Sequence, residues 1–429
     1  MDKVPYFRLK PQSVTILYSF ITWLVSCLLY IPALVTPKLR LFVDGRKSVW
    51  NYLKAYRLAD KKLIWLHAAS LGEFEQGLPV LEQLRDTYPD YQYLITFFSP
   101  SGYEVKKDKL PGYGVCYLPL DTLRNSRKFL DITRPEIALF VKYEVWPNYF
   151  RNCKKLGIPL LMISAIFKPE HIYFNRFGGF LREALKQVTH FYVQNQESAT
   201  LLLKIGLSNI TISGDTRFDR VMSIILRDNH LDFMSEFKND KTCLVAGSTW
   251  PEDEKILFPF LEEQLSSSDF CAVIAPHQTD KRTVDNILKH FKEYAVALSL
   301  ATPKEVKASK LLVVDSIGLL TRIYAYADIA YVGGGFATGL HNTLEPAVFG
   351  IPVIIGPKYK GFIEAEALVK AGGVISVSNP ESLEKVLQNL LFNPEYCEKA
   401  GMANRDYIAQ STGATMGICN GIKNLLNEA

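Results

Sequence analysis

Short apolar runs alternate with longer, mixed polar and apolar stretches through the first half of the chain. Apolar runs of this length predict buried strands, and the mixed stretches between them predict helices. We predict strands at residues 62–68, 91–97, 115–118, 137–141, 159–163, 191–193 and 210–212. Strands that alternate with helices in this way form a parallel sheet, so residues 51–220 are predicted to be one parallel-sheet domain.

The same alternation restarts at Thr242, after a more polar segment. Further strands are predicted near residue 243 and at 271–275, 311–314, 328–332 and 353–355, and further helices at 341–345, 364–370, 380–391 and 393–408. We therefore predict a second parallel-sheet domain at residues 241–410 and an interdomain linker at 221–240. Residues 411–429 are predicted to form a C-terminal helix that can cross back to the first domain.

The N-terminal segment has a different pattern. Residues 11–37 are 27 consecutive uncharged residues, a length sufficient to span a bilayer. Basic residues flank both ends and no small-residue cleavage site follows, so a secretory signal peptide is the weaker interpretation. We predict a membrane anchor within residues 1–50, either spanning or lying at the interface, with a buried core helix as the alternative.

Charge is concentrated at that end of the chain. The formal net charge is +5, and residues 1–60 hold nine Lys and Arg residues against three Asp residues. A basic segment on a nearly neutral body favours an anionic membrane surface over nucleic acid as a partner. The seven cysteines are scattered without a Cys-x-x-Cys pair, which indicates a reduced, cytosol-facing protein without a structural zinc site.

Two glutamates follow predicted strands of the first domain, where ligands of parallel sheets bind. Glu73 stands in Ser70-Leu-Gly-Glu73 after the first strand, and Glu144 stands in Lys142-Tyr-Glu-Val-Trp-Pro-Asn148 after the fourth. Each has a structural alternative. Glu73 has the spacing of a capping box with Ser70, and Glu144 can be a surface or helix-cap carboxylate.

Their neighbours have structural alternatives too. Trp146 can pack in the core rather than stack on a ligand, and Pro147 suits the first turn of a helix. Arg176 lies on a helix-like stretch whose basic residues can form a solvated face.

In the second domain, the first strand ends in Gly247, Ser248 and Thr249. Their backbone N–H groups and hydroxyls suit a phosphate. Thr249 can also cap a helix with Glu252 three residues on, with Pro251 in the first turn. One site can serve both purposes.

The remaining strand ends carry a histidine, an aspartate and glycines. They are Pro276-His277-Gln278, the segment from Asp315 to Gly318, and Gly333-Gly334-Gly335, which leads to His341. Glycines let the backbone approach a ligand closely, and a helix start beside them is typical of an anion site. A structural role is the alternative for His277.

Glu345 follows in His341-Asn-Thr-Leu-Glu345. As a capping-box partner of Asn342 it would put Pro346, which has no N–H, where the first helical hydrogen bond is made. A helix start at Thr343 or later avoids this conflict and leaves Glu345 freer for a ligand.

Two successive Rossmann-like domains facing a central cleft, preceded by an anchor helix, fit the α/β GT-B architecture of sugar-nucleotide transferases. A dinucleotide oxidoreductase has a similar alternation of strands and helices. However, the first predicted strand leads into Ala69-Ser-Leu-Gly-Glu73 and not into Gly-x-Gly-x-x-Gly. We therefore predict a GT-B protein.

Four motifs stand in the order and spacing of the 3-deoxy-D-manno-octulosonic acid (Kdo) transferase family, which the chain resembles over nearly its whole length. They are Ser70-Leu-Gly-Glu73, Tyr143-Glu-Val-Trp-Pro-Asn148, Gly333-Gly-Gly335 and His341-Asn-Thr-Leu-Glu345. The resemblance implies an inverting, metal-independent glycosyltransferase without a cofactor, which moves Kdo from CMP-Kdo to the lipid A precursor lipid IVA. It also implies one N-terminal anchor in the cell inner membrane, catalytic domains facing the cytoplasm, and no nucleic-acid partner.

By that resemblance Glu73 is the general base, Glu144 lies close to it, and Glu345 accepts hydrogen bonds from the ribose of CMP. The donor-binding residues it implies are Ser248, Thr249, Pro276, His277, Asp315, Gly318, Gly333, Gly334, Gly335, His341, Asn342, Thr343 and Glu345. The acceptor-binding residues it implies are Ser70, Gly72, Lys142, Trp146 and Arg176.

The chain departs from the family pattern in two places. Pro276-His277-Gln278 replaces Pro-Arg-His, so an arginine expected at the nucleotide is absent. Val314-Asp-Ser-Ile-Gly-Leu-Leu320 keeps Asp315 and Gly318 but lacks the family's glutamate. Three alternatives stay open: a GT-B enzyme with another nucleotide sugar, a catalytically inactive nucleotide-binding scaffold, and, less favoured because of the anchor, an epimerase.

Overall fold

A computed structural model describes residues 11–427, which form two compact units. The first unit contains the residues up to Asp219 together with those from Thr412 onward, and the second contains Arg220–Ser411. Each is built on a seven-stranded parallel sheet, as the alternation of strands and helices predicts. The basic residues Lys3, Arg8 and Lys10 lie outside the described range.

The first unit packs helices against its sheet. Its strands are β1 (Leu63–Ala68), β2 (Gln92–Phe97), β3 (Gly114–Tyr117), β4 (Ile137–Val141), β5 (Leu160–Ala165), β6 (His190–Val193) and β7 (Ile210–Ile212). Its helices are α1 (Pro11–Leu28), α2 (Tyr30–Ala33), α3 (Pro37–Lys47), α4 (Val49–Tyr56), α5 (Leu71–Thr87), α6 (Pro100–Lys106), α7 (Leu123–Thr133), α8 (Pro147–Lys155), α9 (Gly179–Leu185) and α10 (Gln196–Lys204), with a 3-10 turn at Ile172–Phe174.

The strand order of this sheet is β3-β2-β1-β4-β5-β6-β7. The chain moves outward from β1 to β3, returns to the centre, and continues outward on the other side from β4. The direction therefore reverses between β1 and β4, and crevices at such points are where open α/β sheets bind ligands.

The second unit repeats this plan. Its strands are β8 (Thr242–Thr249), β9 (Phe270–Pro276), β10 (Ala295–Ala297), β11 (Leu311–Val313), β12 (Ile329–Val332), β13 (Val353–Ile355) and β14 (Val374–Ser376). Helix α11 (Thr216–Ile225) leads into this unit, whose own helices are α12 (Asp232–Lys238), α13 (Pro251–Gln264), α14 (Lys281–His290), α15 (Pro303–Ala308), α16 (Leu320–Ile323), α17 (Leu344–Ala347), α18 (Ile363–Ala371), α19 (Pro380–Phe392) and α20 (Pro394–Gln410), with a 3-10 turn at Tyr324–Tyr326.

The strand order of the second sheet is β10-β11-β9-β8-β12-β13-β14, so its reversal point lies between β8 and β12. Two strands of this sheet, β10 and β14, are absent from the sequence prediction. Both are three-residue edge strands with partly exposed side chains. Such short runs have too few apolar positions to give a strand pattern.

Residues 221–240 differ from the expected linker. The boundary at Asp219 falls inside α11, and α12 belongs to the second unit. The segment is polar overall, but Leu231, Met234 and Phe237 are buried. Three apolar residues at helical spacing are enough to dock a seven-residue helix, which an average over composition does not reveal.

A final helix, α21 (Ala414–Asn427), belongs to the first unit although it follows the whole second unit in sequence. Its buried face joins one of the two cores of the first sheet through Ile418, Cys419, Ile422 and Leu426. Asp219 fixes its start, because the two carboxylate oxygens accept hydrogen bonds from the N–H groups of Gly413 (2.6 Å) and Thr415 (2.7 Å).

Helices α1 and α2 form one apolar segment. In the described part of the chain, Val14–Ala33 is the one helical stretch long and apolar enough to cross a membrane, by length and composition alone. Its polar side chains contact the first unit: Asn148 Nδ2 donates to Ser19 Oγ (3.0 Å), and Arg151 donates to Thr15 Oγ1. Its apolar side chains point outward, and three that are more than half exposed are Ile16, Phe20 and Trp23.

The docking of α21 predicts a large effect of Ile418→Ala on stability. Ile418 is fully buried, so removing its side chain should cost about 3 kcal/mol in the free energy of unfolding. Met416 lies on the same helix but is 60% exposed, so Met416→Ala is the matched control and should cost less than about 0.5 kcal/mol. Urea unfolding followed by circular dichroism measures both, and equal effects would contradict this packing.

Candidate active site

Glu73 and Glu144 lie at the carboxyl ends of β1 and β4, the strands on either side of the reversal point. Helix α5 begins at Leu71, so Glu73 is in its first turn. Glu144 lies in the loop between β4 and α8, which begins at Pro147 as predicted. Because β1 and β4 are neighbours in the sheet, these two loops meet at one edge.

Glu73 is buried, and the backbone holds its carboxylate. Its Oε2 accepts a short hydrogen bond from the N–H of Ala69. This resembles half of the predicted capping box, but the Ser70 side chain makes no reciprocal hydrogen bond. Burial raises the pKa of Glu73, while the Ala69 N–H, the charge of Lys142 and the Ser70 N–H oppose the rise.

Glu144 is the more perturbed of the two carboxyls. Burial, and then the charge of Glu73, raise its pKa to about 7, with the neighbouring Trp146 indole acting against them. Its Oε2 and the indole N–H of Trp146 are buried without a hydrogen-bond partner among residues 11–427. A carboxyl in this setting exchanges its proton near neutral pH and has an oxygen available to a bound hydroxyl.

Lys142 and Trp146 complete this cluster. Lys142 has a left-handed backbone conformation (φ 64°), uncommon for a residue other than glycine, and its charge acts on Glu73. The Trp146 ring lies 4.8 Å from Phe98, so its packing alternative is realised, while its N–H has no hydrogen-bond partner among residues 11–427. Gly72 is exposed with open space around it.

Arg176 is the candidate that the first unit does not bring to this cluster. Its side chain is exposed, and its guanidinium stacks on Phe177 at 4.6 Å. No contact within the described residues joins it to either glutamate, which agrees with the solvated-face alternative.

His67, in β1, is a residue of this region that sequence reasoning missed. Its Nδ1 lies 2.9 Å from Thr96 Oγ1, while its Nε2 is buried without a partner in the part of the chain that is described. Burial lowers its pKa to about 3, helped by the charge of Arg46 and opposed by Thr96. The neutral ring lies 5.8 Å from Trp146. His67 could have been identified from the sequence as the one polar residue in an otherwise apolar strand.

In the second unit, the glycine-rich stretch follows β12 beside the end of β8. A Cβ on Gly333 would lie 2.3 Å from the carbonyl oxygen of Ser248, and one on Gly334, whose φ is 92°, would lie 2.1 Å from that of Gly339. These glycines therefore allow backbone to pack on backbone. Ser248 itself has a left-handed conformation (φ 55°).

Asp253, at the start of α13, is a second residue that sequence reasoning missed. It is fully buried, and its carboxylate accepts hydrogen bonds from the N–H of Trp250 (3.0 Å), the N–H of Gly334 (2.8 Å) and the hydroxyl of Tyr331 (2.9 Å). One side chain thus joins the start of α13 to the glycine-rich stretch.

The predicted capping box of Thr249 and Glu252 is wrong by one residue. Trp250 is the N-cap of α13, and its N–H is bound by Asp253. The Thr249 hydroxyl donates to Glu254 instead (3.1 Å). Asp253 caps α13 in place of Glu252, and its carboxylate also accepts a hydrogen bond from the N–H of Gly334. This contact joins residues far apart in sequence, so local spacing could not predict it.

Three aromatic rings pack together around His277, which takes the place of the arginine in the family pattern. Trp250 stacks on His277, with 4.4 Å between ring centres and 19° between planes, and His277 lies 4.6 Å from His341. The Trp250 indole N–H donates to Nε2 of His341 (3.1 Å). Because an indole can only donate, neutral His341 must carry its own proton on Nδ1. Burial lowers the pKa of His341, with the charge of His277 adding to the effect and that of Asp253 opposing it.

Glu345 is held on both carboxylate oxygens. Asn342 Nδ2 donates to Oε1 (3.0 Å), and the hydroxyl of Thr321, at the start of α16, donates to Oε2 (2.7 Å). Helix α17 begins at Leu344 with Thr343 as N-cap, so the helix starts late enough to avoid the conflict at Pro346. The Thr343 hydroxyl is buried and unpaired among the residues described.

The other predicted donor-binding residues lie at different places in the second sheet. Pro276 ends β9, and the next N–H, that of His277, donates to the carbonyl of Thr249 (2.9 Å), so this strand end adjoins β8. Asp315 instead accepts hydrogen bonds from the N–H and hydroxyl of Ser299, at the β10 side of the sheet. Gly318 is exposed. A donor-binding role for Asp315 stays a prediction.

Sequence comparison with known proteins gives one consistent result. Residues 47–220 match the family model of 3-deoxy-D-manno-octulosonic-acid transferases (Kdo transferases). The enzyme of this name from Rickettsia bellii is 26% identical over 344 residues, which are 78% of this chain and 81% of that protein. The one from Aquifex aeolicus is 29% identical over 336 residues, 77% of this chain and 86% of that protein.

Among solved structures, Acinetobacter baumannii MurG is similar with a TM-score of 0.54, covering 85% of this chain and 99% of that one at 13% identity. This likeness concerns the fold, and it confirms the GT-B prediction of two Rossmann-like parallel-sheet units. Together with the family match, it makes the protein a GT-B glycosyltransferase. Residues 47–220 thus carry a Kdo transferase family domain, and the chain is similar to Kdo transferases over about three quarters of its length.

The raised pKa of Glu144 predicts an unusual pH dependence of stability. Its pKa is about 7 when folded, against about 4.3 in an unfolded chain, so the folded state loses stability as pH rises through this window. Glu144→Gln removes the ionisation. Relative to wild type, the variant should gain roughly 1–3 kcal/mol in unfolding free energy between pH 5 and pH 8.

Thermal or urea unfolding at the two pH values measures this gain. Glu82→Gln, an exposed change on α5, is the matched control and should shift little. A constant difference between Glu144→Gln and wild type at both pH values would show that Glu144 is not buried as described.

Proposed function

We propose that this enzyme transfers Kdo from CMP-Kdo to lipid IVA, with inversion and without a metal or other cofactor. The observation that carries the proposal is the pair of perturbed carboxyls at the β1/β4 reversal point, in a chain with a Kdo transferase family domain. A hydroxyl acceptor needs a base at hydrogen-bond distance as it attacks, and this edge of the sheet offers one.

Glu73 is the proposed base. The acceptor hydroxyl gives its proton to the Glu73 carboxylate as its oxygen forms a bond to the anomeric carbon of Kdo. The bond from that carbon to the CMP phosphate oxygen breaks, and the electron pair leaves with CMP. The Ala69 N–H holds the carboxylate, and this hydrogen bond and the charge of Lys142 oppose the effect of burial by favouring the ionised form, the form that accepts a proton.

Glu144 is the proposed acceptor-positioning carboxyl. With a pKa of about 7 and an unpaired oxygen, it can accept a hydrogen bond from an acceptor hydroxyl or donate one when protonated. Its charge also acts together with that of Glu73, so protonation of one carboxyl favours ionisation of the other.

The second unit is the proposed donor site. The N–H groups of the glycine-rich stretch and the Ser248 hydroxyl suit the phosphate, since Thr249 is engaged with Glu254. Glu345 is held by Thr321 and Asn342 in a fixed position from which it can accept from the two ribose hydroxyls. Protein donors of this kind supply the charge stabilisation that a metal ion gives elsewhere.

We also propose that the apolar segment α1–α2 holds the enzyme at the cell inner membrane, with both units on the cytoplasmic side. The outward apolar face of α1 supports this, since large exposed apolar surfaces mark interaction sites. A lipid acceptor stays in the bilayer, so an enzyme held there meets it at a surface.

Glu73→Gln should abolish transfer, by on the order of a thousandfold or more, because the amide cannot take the proton. CMP affinity should be nearly unchanged, since the substitution is in the other unit. Transfer of Kdo to lipid IVA by full-length protein is counted by mass spectrometry with EDTA present, and UDP-sugars are tested in parallel as donors. Retained turnover, loss of CMP binding, or transfer from a UDP-sugar in place of CMP-Kdo would refute the assignment.

Trp250→Phe should weaken CMP binding by about fivefold at pH 7.5. Phenylalanine keeps a ring against His277 but removes the N–H that fixes the tautomer of His341, a hydrogen bond of about 1 kcal/mol. Trp250→Ala removes the stacked ring as well and should weaken binding further. Isothermal titration with CMP measures both. Wild-type affinity in the phenylalanine variant would show that the indole N–H does not act on the donor site.

A further inference from the structure

A groove in the first unit joins the apolar helix α1 to basic side chains. Its lining includes Ile16 and Phe20 of α1, Trp50 of α4, and Arg124 and Lys128 of α7. The groove has a volume of about 600 Å³. None of its lining residues is acidic. Apolar and cationic surfaces therefore meet inside one depression.

The cationic side extends beyond this groove. A second depression shares Arg124 and Lys128 and adds Lys54 and Arg127, with Asp131 also in its lining. None of these four basic residues forms an ion pair within the described range, 11–427. Lys128 instead places its Nζ 4.3 Å from the centre of the Trp50 ring.

Hydrogen bonds to the body hold α1 at this position. Arg151 and Asn148 bind Thr15 and Ser19 on its polar side, so the helix is a fixed wall of the groove. Its exposed apolar residues continue from the groove onto the open surface. A ligand in the groove must therefore be apolar along α1 and anionic towards α7.

We propose that this groove binds an anionic phospholipid of the bilayer, with its phosphate at Arg124 and Lys128 and an acyl chain along Ile16 and Phe20. Charge complementarity selects an anion, and the apolar wall selects an amphiphile over a free anion. A headgroup at this depth places the long side of α1 against the acyl region, so the helix lies along the membrane surface. Such binding is independent of which sugar is transferred.

The test is vesicle flotation of the full-length protein, with phosphatidylcholine vesicles that contain or lack phosphatidylglycerol. No lipopolysaccharide precursor is present, so acceptor binding does not contribute. Wild type should bind vesicles with phosphatidylglycerol more tightly. Arg124→Gln combined with Lys128→Gln should reduce that binding roughly tenfold or more while leaving binding to pure phosphatidylcholine unchanged.

The matched control is Lys154→Gln combined with Lys155→Gln, which removes the same charge from exposed residues of α8. It should change binding by less than about threefold. Circular dichroism and the thermal midpoint establish that both variants fold. Wild-type binding by the Arg124/Lys128 variant, or an equal loss in the control, would overturn the site.

A second experiment with water-soluble ligands distinguishes binding of a lipid from binding of a free anion. Dihexanoylphosphatidylglycerol below its micelle concentration should bind wild type and lose that binding in the Arg124/Lys128 variant. Inorganic phosphate at the same concentration should bind much more weakly, because it does not contact the apolar wall. Equal binding of both would assign the groove to small anions and refute lipid recognition.

Discussion

Burial of two carboxyls at one edge of the first sheet is the constraint on which the candidate active site depends. Ionised carboxylates are costly to bury unless hydrogen bonds and opposite charges compensate. The start of α5 supplies the Ala69 N–H, and the left-handed turn after β4 brings Lys142 near Glu73. Glu144 lacks comparable partners, which is why its pKa rises further. Two glutamates with similar sequence settings thereby differ in how strongly their surroundings raise the pKa.

Much of the fold could be predicted from the sequence because buried parallel strands are short, nearly continuous apolar runs. The predicted ranges 137–141, 210–212 and 353–355 coincide with β4, β7 and β13. The apolar pattern did not predict β10 and β14, because these strands are only three residues long. It also did not predict α12, because the buried residues of this helix lie in a segment that is polar on average. Strand ends identified the glutamates and glycines as candidates, since chain order alone brings them to one edge of each sheet.

Contacts between residues distant in sequence could not be predicted in the same way. Asp253 binds Gly334 and Tyr331, about eighty residues away, and this displaced the expected Thr249–Glu252 cap. The stacking of Trp250 on His277 likewise depends on two strand ends becoming neighbours. The resemblance to the family pattern implied that an arginine was missing, but only the three-dimensional arrangement shows the rings around His277. The contact of Asp315 with Ser299 could not be predicted for the same reason.

The position of α21 has a consequence for synthesis on the ribosome. Chains emerge from the N-terminus, and domains generally fold as units once their residues are available. The second unit is complete by Ser411, whereas the first lacks part of one core until Ile418 and Ile422 have emerged. The unit synthesised first is therefore the one completed last. Until then it exposes an apolar face of its α5 side to chaperones, with the apolar helix α1 already made.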